Sequence, residues 1–281
     1  MASEPEFVSV VITVRNEERH LQRLLDSLSI QEPPFEVVLV DALSTDRTLE
    51  IAQSFARTHP EFRVLSLYGS RGVGRNAGVR ASRGTWITFI DGDCFADTNW
   101  LRAFRTALRR APAAAGKTVA VGPPEYVQLE RVELYQSGSD VTFPSCNLAY
   151  RRDLFDRLGG FDPRFITAED IDLNLRAVRG GATLHYVPEA TVYHEVRPTI
   201  FRFLYQAFWN GYGRKQLTEK HGSLWSRYRY RRLLSGQRTV IAWARLVAAL
   251  SGYFVRVLTG GGRRLAPGPV AIKDAESAAP A

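Results

Sequence analysis

Short hydrophobic stretches alternate with helix-length segments over the first 120 residues of this chain. The hydrophobic stretches are rich in Val, Ile, Leu and Phe, and residues that favour turns or helix caps bound each of them. They predict strands at residues 8–14, 36–41, 63–68, 86–91 and 118–121. The segments between them predict helices at residues 17–30, 46–58, 74–81 and 99–110. This alternation is typical of an α/β fold with a mostly parallel sheet, in which ligands bind beyond the carboxyl ends of the strands.

The pattern changes after residue 121. Residues 168–178 predict a helix, and residues 183–187 and 191–194 predict two short strands around Pro188. From residue 200 onward the chain reads as helical, with an apolar face that we expect to pack on the preceding body. That face consists of Phe201, Leu204, Tyr205, Phe208, Trp209 and Tyr212.

The composition places limits on the class of protein. With 281 residues, 45% of them hydrophobic, the chain is a globular protein and not a disordered one. Only Cys94 and Cys146 are present, which excludes a small disulfide-stapled module and favours a reducing compartment. Residues 1–6 lack the basic and apolar segments of a secretory signal, so export by that route is not expected.

The net charge of +8 is unevenly distributed. Residues 1–200 contain 23 basic and 26 acidic residues, whereas residues 201–281 contain 14 basic and 3 acidic ones. The sequence therefore predicts a body at residues 1–200, a basic helical extension at residues 201–265, and a disordered tail rich in Pro, Ala and Gly at residues 266–281. Such an extension suits an anionic surface, either membrane lipid or nucleic acid.

The most hydrophobic stretch, residues 240–258, is interrupted by two arginines, which disfavours a membrane-spanning helix. On a helix, Arg238, Arg245, Arg256 and Arg263 would lie within roughly 20° of one line, opposite the apolar residues. This pattern predicts an amphipathic helix lying in the plane of a membrane surface. Upstream of this stretch, arginines alternate with Tyr228 and Tyr230, and such a segment could bind lipid headgroups or nucleic-acid phosphates. The alternative interpretation of this segment is a solvated charged surface without a binding role. Those arginines are Arg227, Arg229, Arg231 and Arg232.

Carboxylates collect at the predicted strand ends. Asp91 and Asp93 flank Gly92 after an apolar strand, so both can face one ligand, and their oxygens suit Mg²⁺ or Mn²⁺ bridging a diphosphate. A simple polar turn is the alternative for this segment taken alone. Residues 70–78 form a Gly-rich segment that opens a helix and carries Arg71 and Arg75, which suits phosphate oxygens. The segment follows the third strand, which argues against a dinucleotide-binding fingerprint.

Four segments occur together and in order, at residues 10–17, 40–48, 74–78 and 91–93. In type and spacing they resemble the nucleotide-sugar-binding half of the family 2 glycosyltransferases, over roughly residues 7–200. The resemblance implies a glycosyltransferase A fold with a donor half at about 1–121 and an acceptor half at about 122–200. One departure is that Ala42-Leu43 stands where members of this family usually have Asp or Glu followed by Gly.

The resemblance also implies roles for single residues. Asp41 would accept a hydrogen bond from the nucleobase, Asp93 would bind the metal, and His194 would reach back to that metal. Imidazole is more acceptable to Mn²⁺ than to Mg²⁺, although a lone His after a strand is more often structural. Arg71 joins the donor-binding set on its charge alone, and for Arg15 and Glu17 a surface ion pair is the alternative. The donor-binding set is Thr13, Arg15, Glu17, Asp41, Asp46, Arg71, Arg75, Asp91 and Gly92.

The catalytic base is expected from an acidic segment at residues 169–172, after the segment Gly159 to Asp162. From composition alone, acids in a first helical turn only stabilise the helix. The resemblance implies that Asp170 is the base and that Glu169 binds the acceptor or serves as a substitute base. Asp172 lies roughly 200° around the helix from Asp170 and points elsewhere. By the same resemblance, Ser145, Cys146 and Asn147 would line the acceptor pocket, although a buried cysteine that packs as a small hydrophobic residue is the simpler interpretation of Cys146.

The sequence therefore predicts a metal-dependent inverting glycosyltransferase that uses Mn²⁺ or Mg²⁺ and a nucleoside-diphosphate sugar. Its acceptor would be a glycan or a polyprenyl-linked saccharide. The enzyme would be cytoplasmic and peripherally associated with the inner face of the plasma membrane. A nucleotidyltransferase is one alternative, but it should carry a Gly-rich basic loop where this chain has Arg15-Asn16-Glu17-Glu18. A nucleic-acid-binding protein is another, and it would explain only the basic extension. No nucleic-acid partner is expected.

Overall fold

A computed structural model describes residues 6–124, 132–196, 199–224, 239–259 and 273–274. Its strands are β1 (Val8–Val14), β2 (Phe35–Asp41), β3 (Phe62–Ser66), β4 (Trp86–Asp91), β5 (Cys94–Ala96), β6 (Ala113–Val121), β7 (Tyr135–Gln136), β8 (Ser139–Asp140), β9 (Leu148–Arg151), β10 (Leu184–Glu195) and β11 (Lys273–Asp274). Its helices are α1 (Leu21–Ser29), α2 (Thr48–Ala56), α3 (Arg71–Ala81), α4 (Trp100–Leu108), α5 (Arg152–Arg157), α6 (Glu169–Arg179), α7 (Ile200–His221) and α8 (Val240–Leu258). A short 3₁₀ turn covers Ser145–Asn147.

Nine of these strands form one sheet in the order β11-β3-β2-β1-β4-β9-β6-β10-β5. Strands β3, β2, β1 and β4 are parallel, and so are β6 and β10. Strand β9 lies antiparallel between β4 and β6, and β5 and β11 add antiparallel edges. The mostly parallel sheet predicted from the alternating pattern is confirmed.

The sheet has a hydrophobic core on each face because its central strands are apolar along their whole length. In β1, Val10 and Ile12 belong to the core that contains Trp100 and Phe104 of α4. Val11 points to the opposite core. The carboxyl ends of β1, β2 and β4 consequently meet at one edge, where the acidic residues lie.

Helix α3 begins at Arg71, three residues earlier than predicted, with the hydroxyl of Ser70 accepting the Val73 amide. Two glycines of this helix face β1: a Cβ atom on Gly74 would lie 2.8 Å from Cγ2 of Thr13, and one on Gly78 would lie 2.5 Å from Cγ1 of Val11. The glycines therefore allow close packing of helix on strand. The Gly-rich segment forms this helix, where the sequence suggested a phosphate-binding loop.

The strands predicted around Pro188 form a single strand, β10, whose pairing with β6 shifts register between Val187 and Thr191. Proline has no amide hydrogen to donate, so the ladder is interrupted there. Strand β6 starts at Ala113 instead of residue 118 because small, buried alanines extend it. Of the predicted disordered tail, Lys273–Asp274 pairs with β3, and the rest lies outside the described residues.

Helix α7 packs only partly through the predicted face, of which Leu204, Phe208, Trp209 and Tyr212 are half-buried. Phe201 and Tyr205 of the aromatic stripe are 82% and 63% exposed, because small and polar residues make the buried contacts instead. A Cβ atom on Gly211 would lie 1.7 Å from the carbonyl oxygen of Ala249, which places the backbones of α7 and α8 in direct contact. The buried residues of α7 are Ala207, Gly211, Gly213, Gln216 and Leu217.

Helix α8 also differs from its prediction, since its two arginines face the protein. Arg256 forms ion pairs with Glu219 and donates to the Tyr212 hydroxyl, and Arg245 lines a cavity. Trp243, Val247 and Phe254 point outward, and by length and composition α8 could cross a membrane, as core helices of soluble proteins also could. The other arginines that the sequence analysis assigned to an anionic surface, at positions 227, 229, 231, 232, 238 and 263, lie outside the described residues.

Candidate active site

The turn after β4 brings two predicted metal ligands together. Strand β5 follows this turn and pairs antiparallel with β10, with Cys94 opposite His194. The Nε2 atom of His194 lies 3.5 Å from Oδ2 of Asp93. A Cβ atom on Gly92 would lie 2.9 Å from Cγ of Glu17, so only glycine lets the turn approach the loop after β1 this closely.

The donor atoms of Asp93, Cys94 and His194 all lie within 4.8 Å of one another. Burial disfavours protonation of His194, but the Asp93 carboxylate outweighs it and raises the pKa of the imidazole to about 9. A hydrogen bond with Cys146, together with burial, holds the pKa of the Cys94 thiol well above its ordinary value. The thiol therefore stays protonated. The imidazole of His194 would release its proton on binding a cation, and a carboxylate with a neutral imidazole is a donor set that fits Mn²⁺.

Arg75 connects the donor half to the acidic segment. Its side chain is 1% exposed, and it donates from Nη2 to Asp91 and from Nη1 to Glu169, each over 2.6 Å. Burial disfavours its charge, yet the two carboxylates raise the pKa of the guanidinium further above its usual range. Arg75 thus connects the end of β4 to the start of α6 through two ion pairs. Arg71, one turn earlier, is exposed and lines the cavity described below.

The two candidate catalytic acids begin α6 and differ in environment. Glu169 is buried, and burial together with the neighbouring Asp170 raises its pKa, while Arg75 engages its carboxylate. Asp170 is half-buried, and its carboxylate accepts the amides of Ser145 at 3.1 Å and Ile171 at 2.8 Å. These two hydrogen bonds fix the orientation of the Asp170 carboxylate.

Asp172 lies away from these acids. It is fully buried, and it forms ion pairs with Arg176 and Lys220 and a hydrogen bond with His221, at 2.7 to 2.8 Å. This placement agrees with the expectation that it points elsewhere on the helix. No sequence motif pointed to His221, whose contact with Asp172 joins α6 to the end of α7.

The loops after β1 and β2 are joined by a second polar network. Asn16, which has a φ of +57°, accepts the Thr45 amide, and Asp46 accepts the amides of Glu18 and Thr48. Asp41 is fully buried at the end of β2 and accepts the Ser44 amide at 3.1 Å. Both aspartates therefore hold the loop that the sequence assigns to the donor pocket.

The remaining predicted donor residues lie near this network. Thr13 packs against Gly74, and Glu17 packs against Gly92. Arg15 is exposed at the edge of the sheet. The structure thus places the predicted residues in two adjoining groups, one around the loops after β1 and β2 and one around the turn after β4.

A cavity of about 470 Å³ adjoins the second group. Asp91 and His194 line it from the strand ends, and Glu169 and Asp170 line it from α6. Ser145 and Cys146 also line it. Asn147 instead is buried in the fold, where it accepts the indole hydrogen of Trp100 and donates to the carbonyls of Lys117 and Ala190.

The sequence pattern did not point to the far wall of this cavity, which belongs to α7 and α8. Gln206, Asn210 and Arg214 of α7 and Arg245 and Leu246 of α8 contribute to it. Polar residues interrupt the apolar pattern of both helices, and this feature of the sequence could have identified them as part of the cavity wall.

Comparison with known proteins decides the class. The profile described as Glycosyl transferase family 2 matches residues 9–161, and that described as Glycosyl transferase family group 2 matches residues 86–266. The chain belongs to the family 2 glycosyltransferases. It is therefore an enzyme that transfers a sugar from a nucleotide-sugar donor, and the nucleotidyltransferase and nucleic-acid-binding alternatives are set aside.

Among its relatives, glycosyltransferase AglE of Haloferax volcanii is 29% identical over 212 residues, which are 70% of each chain. The uncharacterized glycosyltransferase EpsJ of Bacillus subtilis is 27% identical over 214 residues, 68% of this chain and 61% of that relative. This chain thus spans somewhat more than half of the length of EpsJ.

Solved structures confirm the fold. The mannosyltransferase PcManGT of Pyrobaculum calidifontis, in complex with GDP-Man and Mn²⁺, has a TM-score of 0.62 and 20% identity, covering 92% of this chain and 77% of that one. Residues 1–349 of Staphylococcus aureus TarS, in complex with UDP-GlcNAc, have a TM-score of 0.58 and 18% identity, covering 96% of this chain and 97% of that one. The predicted glycosyltransferase A fold is confirmed.

Proposed function

We propose that this glycosyltransferase is metal-dependent and inverting, and that it moves a sugar from a nucleoside-diphosphate sugar to a hydroxyl of a glycan or a lipid-linked acceptor. The observation that carries the proposal is the shared cavity. Asp91 and His194 at the strand ends and Asp170 at the start of α6 line this one space. A donor held at the strand ends would therefore meet an acceptor beside Asp170.

Asp93 and His194 are the residues that would hold the divalent cation. A carboxylate with an imidazole favours Mn²⁺ over Mg²⁺. The cation, when bound, stabilises the negative charge that develops on the departing nucleoside diphosphate. Arg71, an exposed cation on the cavity wall, would contact the phosphates. The complexes of PcManGT with GDP-Man and Mn²⁺ and of TarS with UDP-GlcNAc support this class of donor.

Asp170 would act as the general base. It takes the proton of the acceptor hydroxyl as that oxygen bonds to the anomeric carbon, while the bond from this carbon to the diphosphate oxygen breaks. The amides of Ser145 and Ile171 hold the carboxylate in place, and each oxygen keeps a second lone pair for the incoming proton. Arg75, through Glu169, fixes the start of α6 against the strand that ends in Asp91.

The exposed apolar face of α8 supports attachment to the inner face of the plasma membrane. Trp243, Val247 and Phe254 are each more than half exposed on this face. An amphipathic helix with such a face inserts its apolar side chains at the boundary between headgroups and acyl chains. The enzyme would then work at the surface that carries a lipid-linked acceptor.

Turnover by an Asp170→Asn variant tests the proposal. Release of nucleoside diphosphate from UDP-, GDP- and dTDP-sugars with Mn²⁺ should fall about 10²- to 10⁴-fold, because general base catalysis contributes that much. Binding of the nucleotide should be unchanged. Asp156→Asn, which alters an exposed carboxylate on α5, serves as the matched control. Turnover by Asp170→Asn equal to that of the control would refute the assignment of the base.

A further inference from the structure

The thiol of Cys94 lies among the candidate metal ligands but has no part in the proposed function. Cys94 begins β5, directly after Asp93, and pairs across the sheet with His194 of β10. Its Sγ atom lies 3.7 Å from Oδ1 of Asp93, and Nε2 of His194 lies 3.5 Å from the other oxygen of that carboxylate. Mn²⁺ favours oxygen and imidazole ligands and leaves a thiol unused. A cation that favours sulfur would bind all three groups.

The separations of the three groups agree with the edges of a tetrahedral zinc site. Zinc binds sulfur at about 2.3 Å and nitrogen or oxygen at about 2.0–2.2 Å. Tetrahedral angles then place sulfur about 3.6 Å from oxygen, and oxygen about 3.4 Å from nitrogen. The observed 3.7 and 3.5 Å are close to these values, and the sulfur lies within 4.8 Å of the imidazole nitrogen. Because the two contacts use different oxygens of Asp93, its carboxylate would rotate or bind through both.

A cation can reach this thiol from the catalytic cavity. Cys94 is buried and hydrogen-bonds to Cys146, which lines the cavity together with His194. Burial by itself is typical of a cysteine that packs as a small hydrophobic residue. Such a cysteine needs no carboxylate and imidazole beside its sulfur, and Cys94 has both. Its position therefore indicates a ligand as well as a packing residue.

We propose that Asp93, Cys94 and His194 form a thiolate-containing site for Zn²⁺ that overlaps the proposed Mn²⁺ site. Zn²⁺ binds thiolate more strongly than Mn²⁺ does, and the protons of the thiol and the imidazole pass to solvent when it binds. Three protein ligands leave one position of a tetrahedral zinc ion free, whereas a cation that bridges a diphosphate needs two. Zn²⁺ would therefore exclude both Mn²⁺ and the nucleotide. This inhibition by a thiophilic cation rests on the proposed function and adds a form of control to it.

Absorption spectra of the full-length protein with Co²⁺, prepared without a histidine tag, test this inference. Co²⁺ replaces Zn²⁺ and reports its own ligands, so one equivalent should give a sulfur-to-cobalt charge-transfer band and the visible bands of tetrahedral cobalt. One equivalent of Zn²⁺ should abolish these bands, whereas Mn²⁺ should need an excess of at least about 100-fold. Cys146→Ser leaves Cys94 as the only thiol of the chain and should keep the charge-transfer band. Cys94→Ala should lose it, with thermal unfolding showing that this variant is folded.

Binding of UDP or GDP with Mn²⁺ separates the outcomes. One equivalent of Zn²⁺ should weaken this binding at least about tenfold in the wild-type protein and in Cys146→Ser. Octahedral cobalt without a charge-transfer band, in a protein that binds nucleotide with Mn²⁺, overturns the thiolate site and leaves the proposed function standing. A charge-transfer band without nucleotide binding supports the thiolate site and overturns the proposed donor site. A band that is lost in Cys146→Ser overturns the assignment to Cys94, whether or not Cys94→Ala folds.

Discussion

Replacing Arg75 by methionine should strongly destabilise the protein. The guanidinium is buried between Asp91 and Glu169, with one hydrogen bond of 2.6 Å to each carboxylate. Methionine fills a similar volume but leaves both carboxylates without this cation. Removing one partner of a buried ion pair costs about 3–5 kcal/mol of the free energy of unfolding. For a protein of this size, that loss corresponds to a decrease in Tm on the order of 10 °C.

The loss should depend on pH, because Glu169 is 3% exposed and its pKa is already raised by burial and by Asp170. Without Arg75, the pKa of Glu169 in the folded protein rises further above its value in the unfolded chain. A raised carboxyl pKa destabilises the folded state once the pH exceeds the unfolded pKa, about 4.3 for glutamate. The deficit of Arg75→Met should therefore be larger at pH 8 than at pH 5.

Urea unfolding at both pH values measures this deficit. Arg71→Met is the matched control, since it removes an exposed arginine one turn earlier on the same helix. It should change the free energy of unfolding by no more than about 0.5 kcal/mol. Equal stability of the two variants at pH 8, or a deficit that grows as the pH falls, would refute this reasoning.

Three further predictions concern stability. Asn147→Ala removes three hydrogen bonds of a buried side chain, including the one from Trp100. It should lower the free energy of unfolding, measured in urea, by about 2–4 kcal/mol, and a loss below about 0.5 kcal/mol would contradict this prediction. Burial disfavours ionised Asp172, but hydrogen bonds from His221 and Lys220 outweigh burial and lower the pKa of this carboxyl group. The loss of stability in Asp172→Asn, measured by thermal unfolding, should therefore be complete near pH 7 and become smaller below about pH 4. A loss of stability that does not depend on pH would contradict this prediction. Leu43→Gly should raise Tm, because Leu43 is exposed and its left-handed backbone, with a φ of +55°, costs about 1–2 kcal/mol of stability. This strain exceeds the entropic cost of a glycine, which is about 0.5–1 kcal/mol, so a lower Tm would contradict the prediction.

The sequence predicted the centre of the fold well for a physical reason. Strands β1 and β4 have the bounds predicted for them because long apolar runs buried on both faces leave few alternatives. The closeness of Asp93 to His194 followed from the resemblance, and the antiparallel pairing of β5 with β10 explains it. The carboxyl ends of parallel strands meet at one edge of the sheet, so acidic residues at those ends lie close together.

The parts that the sequence did not predict depend on close packing. The contacts of Gly74 and Gly78 with β1 determine which arginine of α3 is buried. The helical periodicity of the sequence does not reveal these contacts. In α7, large aromatic residues suggested the packing face, whereas small residues such as Gly211 made the closest contacts. Helices that touch through glycine can leave some large side chains exposed, so hydrophobicity alone identified only part of the packing face.

Titration of UDP, GDP, dTDP and CDP into the purified protein, with and without Mn²⁺, tests the central claim most directly. The account predicts that one nucleotide binds, that binding requires the metal, and that Asp93→Asn abolishes the metal-dependent part while the variant stays folded. Absence of binding for every nucleotide by the folded wild-type protein, or metal-dependent binding that survives in Asp93→Asn, would contradict the donor site proposed at the strand ends.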